Sequence, residues 1–280
     1  MAGTDQLAIV ELGVADAPVG LALSTEAHWN QNEADWRFFL THGPVVGVRD
    51  HHGDLIATAA LLPYSSGNAW ISMVLVTAAW RRRGLATRLI DQCLATAEYR
   101  GLTPWLDATP AGAAVYGPLG FKPTIPLLRL RLEGASPRKR SPPLSSSANL
   151  NELVLRDRSI MGFGRSTLLE ELSGRAGSKL VSHDDAMALV RDGRKNRHIG
   201  PLFASNSGSA LALVDHIIGP DTGPWLIDAV GTRQEFLEGL TGSGWTIERP
   251  FQRMRFGSAT ALPNELSKQL PFAVVGPEYG

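Results

Sequence analysis

Apolar positions along the chain switch repeatedly between a period near two and a period near 3.6, so strands and helices are expected to alternate. Residues 45–49 and 55–62 read as two strands of a hairpin, with His52-Gly53-Asp54 between them as turn chemistry. Residues 70–76 form a short apolar run with β-branched members, which suits a buried strand. From residue 84 to 99, Leu85, Leu89, Ile90, Cys93, Leu94 and Ala97 recur at helical spacing, and Gly101 stands where a left-handed cap would end the helix. A strand at 104–108, a short helix at 111–118 and a strand at 127–132 follow. The second half reads as strands 179–181, 186–191 and 198–204, helix 210–218, strand 225–230, helix 233–240 and strand 249–256.

The segment 134–147, GASPRKRSPPLSSS, has three prolines, five serines and no apolar period, so it reads as an exposed linker. The sequences around it echo each other. Trp105-Leu106-Asp107, Gly120-Phe121 and Leu128-Arg129-Leu130-Arg131-Leu132 return as Trp225-Leu226-Ile227-Asp228, Gly244-Trp245 and Gln252-Arg253-Met254-Arg255-Phe256. A shared order at a nearly constant offset is the mark of duplicated architecture. The expected organisation is a first domain over 1–133, a linker over 134–148 and a related second domain over 149–280.

Composition narrows the function. Of 280 residues, 44% are hydrophobic and 19% charged, which fits a folded chain with a sizeable core. Lys plus Arg and Asp plus Glu both total 27, and that balance offers no basic face for nucleic acid. Cys93 is the only cysteine, so no internal disulfide forms, and its apolar helical neighbours Leu89, Ile90 and Leu94 favour packing over nucleophilic chemistry. The start of the chain does not read as a signal peptide, and no apolar stretch reaches the roughly 20 residues that span a bilayer. The expectation is a cytoplasmic protein with no membrane partner. No His, Cys and carboxylate cluster has metal-ligand spacing, so no metal is expected.

The densest chemical signal is the strand Ile71-Ser72-Met73-Val74-Leu75-Val76 running into Trp80-Arg81-Arg82-Arg83-Gly84-Leu85-Ala86-Thr87. A strand, a basic loop with small residues and a helix start converge unpaired N–H groups and a positive helix end on one point. A pyrophosphate is the natural occupant, with Gly84 and Ala86 keeping side chains out of its way, the arginines adding charge and Thr87 adding a hydroxyl donor. Read blandly, Arg81, Arg82 and Arg83 merely solvate a surface helix.

The spacing Arg81-x-x-Gly84-x-Ala86 after an apolar strand resembles the acyl-CoA loop of the GNAT superfamily of N-acetyltransferases, and Tyr116-Gly117-Pro118-Leu119-Gly120-Phe121 resembles that family's Tyr-x-x-x-Gly-Phe signature. The resemblance implies an α/β fold with a mixed sheet in two tandem GNAT-like domains, and acetyl-CoA as cosubstrate. It also implies pairing of the Val74, Leu75 and Val76 backbone with the pantetheine amides, and Tyr116 as the acid that protonates the departing thiolate. A phenol with a pKa of about 10 remains protonated at neutral pH and can do so. Thr109 stands where the family often has an asparagine, which shortens the reach of that cofactor contact. Ile199-Gly200-Pro201 and Arg253-Met254 resemble features of tandem GNAT proteins of the YitH/HolE type.

The second half lacks the same equipment. Ser205-Asn206-Ser207-Gly208-Ser209 follows its strand without an arginine, and Leu240 stands four residues before Gly244 where a tyrosine would map. One cofactor site per chain is expected. On the acceptor side, Trp29, Asn30 and Asp35 either line a pocket for a small amine or belong to a helix docked on the core. Asp107 either orients the acceptor or relays its proton, or makes a structural hydrogen bond. The expected reaction is direct attack of a small-molecule or amino-acid-derived amine on acetyl-CoA, with a non-catalytic acyl-CoA-binding or regulatory role as the alternative. The acceptor, the general base and the oligomeric state stay open.

Overall fold

The alternation of strands and helices is present in the computed structural model, which describes residues 7–134, 148–219, 223–257 and 270–280. Grouped by contacts, the chain falls into two compact units. Residues 1–106 with Tyr279 form the first, and residues 107–278 with Gly280 form the second. The duplicated order of the sequence places its boundary elsewhere, in a segment of which only Gly134 and Ala148 are among the described residues. The repeat follows the order of elements, whereas the grouping follows which residues touch.

In the first unit, β1 (Ile9–Glu11), α1 (Ala17–Glu26) and α2 (Glu33–His42) precede the expected hairpin of β2 (Val45–Arg49) and β3 (Leu55–Tyr64). The hairpin closes through Gly53 N–H donating to the Asp50 carbonyl, 3.0 Å. β4 (Asn68–Val76), α3 (Leu85–Tyr99) and β5 (Thr103–Ala108) follow. The strands run side by side as β1-β2-β3-β4-β5, antiparallel except for the parallel pair β4 and β5. The first eight residues of β3 are all buried, as expected of a strand covered on both faces. α3 lays Leu85, Leu89, Ile90, Cys93 and Ala97 against the core. Burial pushes the Cys93 thiol up to about 12, so it packs as a small hydrophobe. Gly20 of α1 admits the Trp36 ring, which a Cβ would approach to 2.5 Å, and the indole N–H donates to Ser24 Oγ at 2.9 Å.

The second unit holds α4 (Pro110–Tyr116), β6 (Phe121–Leu132), α5 (Leu150–Met161), α6 (Ser166–Gly174), β7 (Lys179–His183), β8 (Ala186–Asp192), β9 (Arg197–Phe203), α7 (Ser207–Ile218), β10 (Trp225–Val230), α8 (Gln234–Gly242) and β11 (Thr246–Phe256). Its strands run β11-β6-β10-β9-β8-β7. Strand β6, the last of the first repeat copy, is thus internal here, antiparallel to both β11 and β10. Leu130, Ala188, Ile199, Leu213, Trp225, Ile227, Phe236 and Trp245 fill the core around it. Helices α5 and α6 go beyond the elements that the pattern predicts.

Candidate active site

Strand β4 is shaped by a bulge. Thr58 of β3 pairs with Leu75, and Ala60 with Ser72, so Met73 and Val74 face Ala59 alone. Met73 takes a left-handed φ of 51°, which a non-glycine residue adopts at a cost of roughly 1–2 kcal/mol. The buried Thr58 hydroxyl donates to the Met73 carbonyl at 2.8 Å and holds the bulge in place. Such a bulge bends its strand and breaks the ladder locally. On its other edge, β4 pairs with β5 only from Asn68↔Thr103 to Trp70↔Trp105, and the register ends there. Beyond that point Val74 and Val76 are half-buried and Leu75 is buried.

The loop after β4 begins with a short 3-10 turn, Ala78–Trp80. Arg81 Nε donates back to the Val76 carbonyl at 3.1 Å, and the Arg83 guanidinium lies 4.8 Å from the Trp80 ring centroid. Arg82 (φ 60°) and Gly84 (φ 79°) both take left-handed backbone, so the chain reverses sharply into α3. A Cβ at Gly84 would meet nothing within 4 Å, which leaves open space at the mouth of the helix. No side chain caps α3, and its first turn carries no acidic residue. The amides of Leu85, Ala86 and Thr87 therefore begin a 15-residue helix without intrahelical acceptors, at its positive end and beside exposed arginines. These residues fit a phosphate-bearing group such as that of acetyl-CoA.

Tyr116, Thr109 and Asp107 belong to the second unit. Thr109 is the N-cap of α4, where its Oγ1 accepts from Gly112 N–H at 3.2 Å; the hydroxyl proton is not used in that bond. Tyr116 is half-buried with its ring 6.1 Å from that of Phe121. Both oxygens of Asp107 accept from Arg253, Nε to Oδ1 and Nη2 to Oδ2, each at 2.9 Å. Its side chain is wholly buried. Burial pushes the Asp107 carboxyl up from its ordinary value, and Arg253 acts against that rise.

In the first unit, Trp29 and Asn30 are half-buried in the connection between α1 and α2. Asp35 is buried with both oxygens engaged. Oδ2 accepts from the Asn32 amide at 2.8 Å in a capping box, and Oδ1 accepts from the Tyr279 hydroxyl at 2.7 Å. The Tyr279 ring stacks on Phe39 at 5.0 Å, and its carbonyl accepts from the Tyr64 hydroxyl at 2.8 Å. No local pattern around Tyr279 announces this role, because Asp35, Phe39 and Tyr64 lie more than 200 residues before it in the sequence.

The profile of the acetyltransferase (GNAT) family matches residues 15–121, and that of the acetyltransferase (GNAT) domain matches residues 154–267. The chain belongs to the GNAT acetyltransferase superfamily, with two of its domains in tandem. Solved structures carry the same fold. A protein from Pyrococcus horikoshii described as an acetyltransferase is similar over 100% of this chain and 98% of its own, with a TM-score of 0.80 at 18% identity. A GCN5-related N-acetyltransferase from Sphaerobacter thermophilus is similar over 93% and 99% of the two chains, with a TM-score of 0.65 at 16% identity. A tandem GNAT protein from the clavulanic acid biosynthesis pathway is similar over 89% and 98%, with a TM-score of 0.63 at 14% identity. No curated protein sequence matches.

The second GNAT domain is built differently at the matching helix. Asn206 caps the start of α7, and its side chain accepts from Ser209 N–H at 2.9 Å. The Asp185 carboxylate accepts from the Ser205 amide, and hydrogen bonding from Ser205 pulls that carboxyl below its ordinary value. Leu240, at the position matching Tyr116, is buried. Its interior holds a polar group that the sequence reading did not single out: Arg129 binds Asp228 at two points, 2.8 Å each, and His198 Nε2 lies 3.0 Å from Asp228 Oδ2 without hydrogen-bond alignment. Among the described residues no group of three or more His, Cys, Asp or Glu could hold a metal ion, and no helix is long and apolar enough to cross a membrane.

Proposed function

We propose that the chain transfers an acetyl group from acetyl-CoA to an amine of a small molecule or amino-acid derivative, using its first GNAT domain. The observation that carries this reading is the start of α3. It is uncapped and free of carboxylates, it opens at Gly84 into empty space, and it directly follows a strand whose pairing to β5 has ended. The amides of Gly84 to Thr87 and the charges of Arg81, Arg82 and Arg83 hold the pyrophosphate. The backbone of Val74, Leu75 and Val76 holds the extended pantetheine arm, and Thr109 offers a hydroxyl donor.

Bound acetyl-CoA supplies an activated acetyl thioester. The chain orients that thioester for direct attack, and the family pattern assigns Tyr116 the proton for the departing thiolate. Asp107 acts through Arg253, because both its oxygens are engaged there. Asp35 likewise acts in holding α2 and Tyr279, which leaves Trp29 and Asn30 as the acceptor-facing candidates. A soluble protein of the cytoplasm acting on a diffusible amine fits these assignments.

Calorimetry with acetyl-CoA on the intact chain and on Gly84→Glu tests the reading. Binding that is lost in the variant supports it. Binding that is indifferent to a carboxylate at Gly84 would sink it.

A further inference from the structure

We propose that the second GNAT domain carries a stand-in for acyl-CoA made of its own chain: residues 272–274 fill the gap between β9 and β10, and Asp185 occupies the phosphate position at α7. The cosubstrate therefore has one slot per chain, in the first domain. This inference rests on the function proposed above.

The two domains repeat one arrangement of strand, loop, helix and parallel strand, β4-α3-β5 and then β9-α7-β10. In both, the parallel pairing runs for three residues and stops, at Trp70↔Trp105 and at Ile199↔Ile227. Past that point in the second domain, a segment of the chain enters between the strands and bonds to both. On the β9 side, Phe272 N–H donates to the Leu202 carbonyl at 2.8 Å, and Leu202 N–H donates to the Ala273 carbonyl at 2.9 Å. On the β10 side, Val274 N–H donates to the Asp228 carbonyl and Val230 N–H donates to the Phe272 carbonyl, each at 3.0 Å. A pantetheine arm is an extended chain with amides, so a peptide offers strand edges the same donors and acceptors.

The segment is fixed as firmly as core. Phe272, Ala273, Val274 and Val275 are all at most 1% exposed. Gly200 is what admits it, since a Cβ there would lie 2.0 Å from the Val274 carbonyl oxygen. Arg191 ties down the far side by donating to the Val275 carbonyl and pairing with Glu278, both at 2.8 Å. At the helix, the Asp185 carboxylate on Ser205 supplies the negative charge that a helix start attracts, and repels a phosphate from the same place.

Amide hydrogen exchange on the intact chain, with and without saturating acetyl-CoA, tests the proposal. Exchange is expected to slow about tenfold or more at residues 74–76 and 84–88, with one acetyl-CoA bound and no change at 199–204, 228–230 or 272–275. Altered exchange in that second set with two molecules bound overturns the seal and leaves the first-domain function standing. Change in the second set alone overturns both. If acetyl-CoA binds nowhere, the function fails and Val274→Pro decides the seal. Loss of that N–H should speed exchange at Leu202 and Val230 by about tenfold while residues 74–76 keep their rates. Unchanged rates overturn the proposal. Gly200→Ala, which pushes the Val274 carbonyl away, serves the same comparison if the proline variant does not fold.

Discussion

Asp107 and Arg253 form a two-point ion pair across 146 residues of chain, with side chains 0% and 4% exposed. It has a counterpart in Arg129 and Asp228, 99 residues apart and equally buried. In the sequence repeat, Asp107 matches Asp228 and Arg129 matches Arg253. Each copy's aspartate therefore pairs with the other copy's arginine. The strand order of the second unit gives the reason for one of the two, because β6 lies directly against β10.

Removing one partner of such a pair strands a charge in the interior. Arg253→Met is expected to cost about 3–5 kcal/mol in urea denaturation, and Asp107→Asn combined with it should recover a large part of that loss. Equal losses in the single and double variants would mean that the pair is not the stabilising contact.

Tyr116→Phe keeps the ring on Phe121 and removes only the proton donor. Acetyl-CoA binding should stay within about twofold while kcat falls by about 100-fold or more. A variant with unchanged kcat would remove Tyr116 from the chemistry.

Thr58→Val deletes the hydroxyl that holds the Met73 carbonyl in the β4 bulge and leaves a buried acceptor without its donor. The expected cost is about 1–3 kcal/mol in stability. Because the bulge sets the course of Val74 to Val76, the Kd for acetyl-CoA should rise several-fold more than kcat falls. Calorimetry and steady-state rates together separate the two.

Burial, with help from the Arg191 charge, holds the His198 imidazole down to about 4. An unfolded chain takes up that proton near pH 6.5, so between pH 6.5 and 4 the unfolded state binds more protons than the folded one. Stability should fall as pH drops through that window, by an amount on the order of 3 kcal/mol from this group. In His198→Gln the acid limb of a denaturation series should be flatter; an identical limb would exclude His198 as its source.

Tyr279→Phe leaves Asp35 Oδ1 without its buried donor while keeping the stack on Phe39. A loss of roughly 1.5–3 kcal/mol is expected, with faster amide exchange in α2 as the local readout. Unaltered exchange across residues 33–42 would show that the hydroxyl does not secure the helix.

Most of the elements were legible in the sequence, because period and turn chemistry are local: β2, α3 and β10 lie within two residues of their predicted limits. The loop proposed to hold acyl-CoA was legible for the same reason, since strand, arginines and glycine are contiguous from Ile71 to Thr87. The return of Trp-Leu-Asp as Trp-Leu-Ile-Asp, with alternating arginines after each, left a faint repeat in the sequence.

What those aspartates and arginines pair with was not legible. Partner choice follows from which strands lie side by side, and a strand pairs as well with a distant segment as with a near one. The roles of Asp35 and Asp107 were open in the sequence for that reason, and their carboxylates are engaged by Tyr279 and Arg253. The segment from Phe272 to Val275 shows the limit most clearly. Its sequence is a short apolar run without a period, and only the gap between β9 and β10, with Gly200 at its edge, makes it a strand partner. The sequence alone determined the local elements, the family's motifs and the duplication. Tertiary structure decided which groups are consumed in holding the fold, because hydrogen bonds and ion pairs are made between neighbours in space.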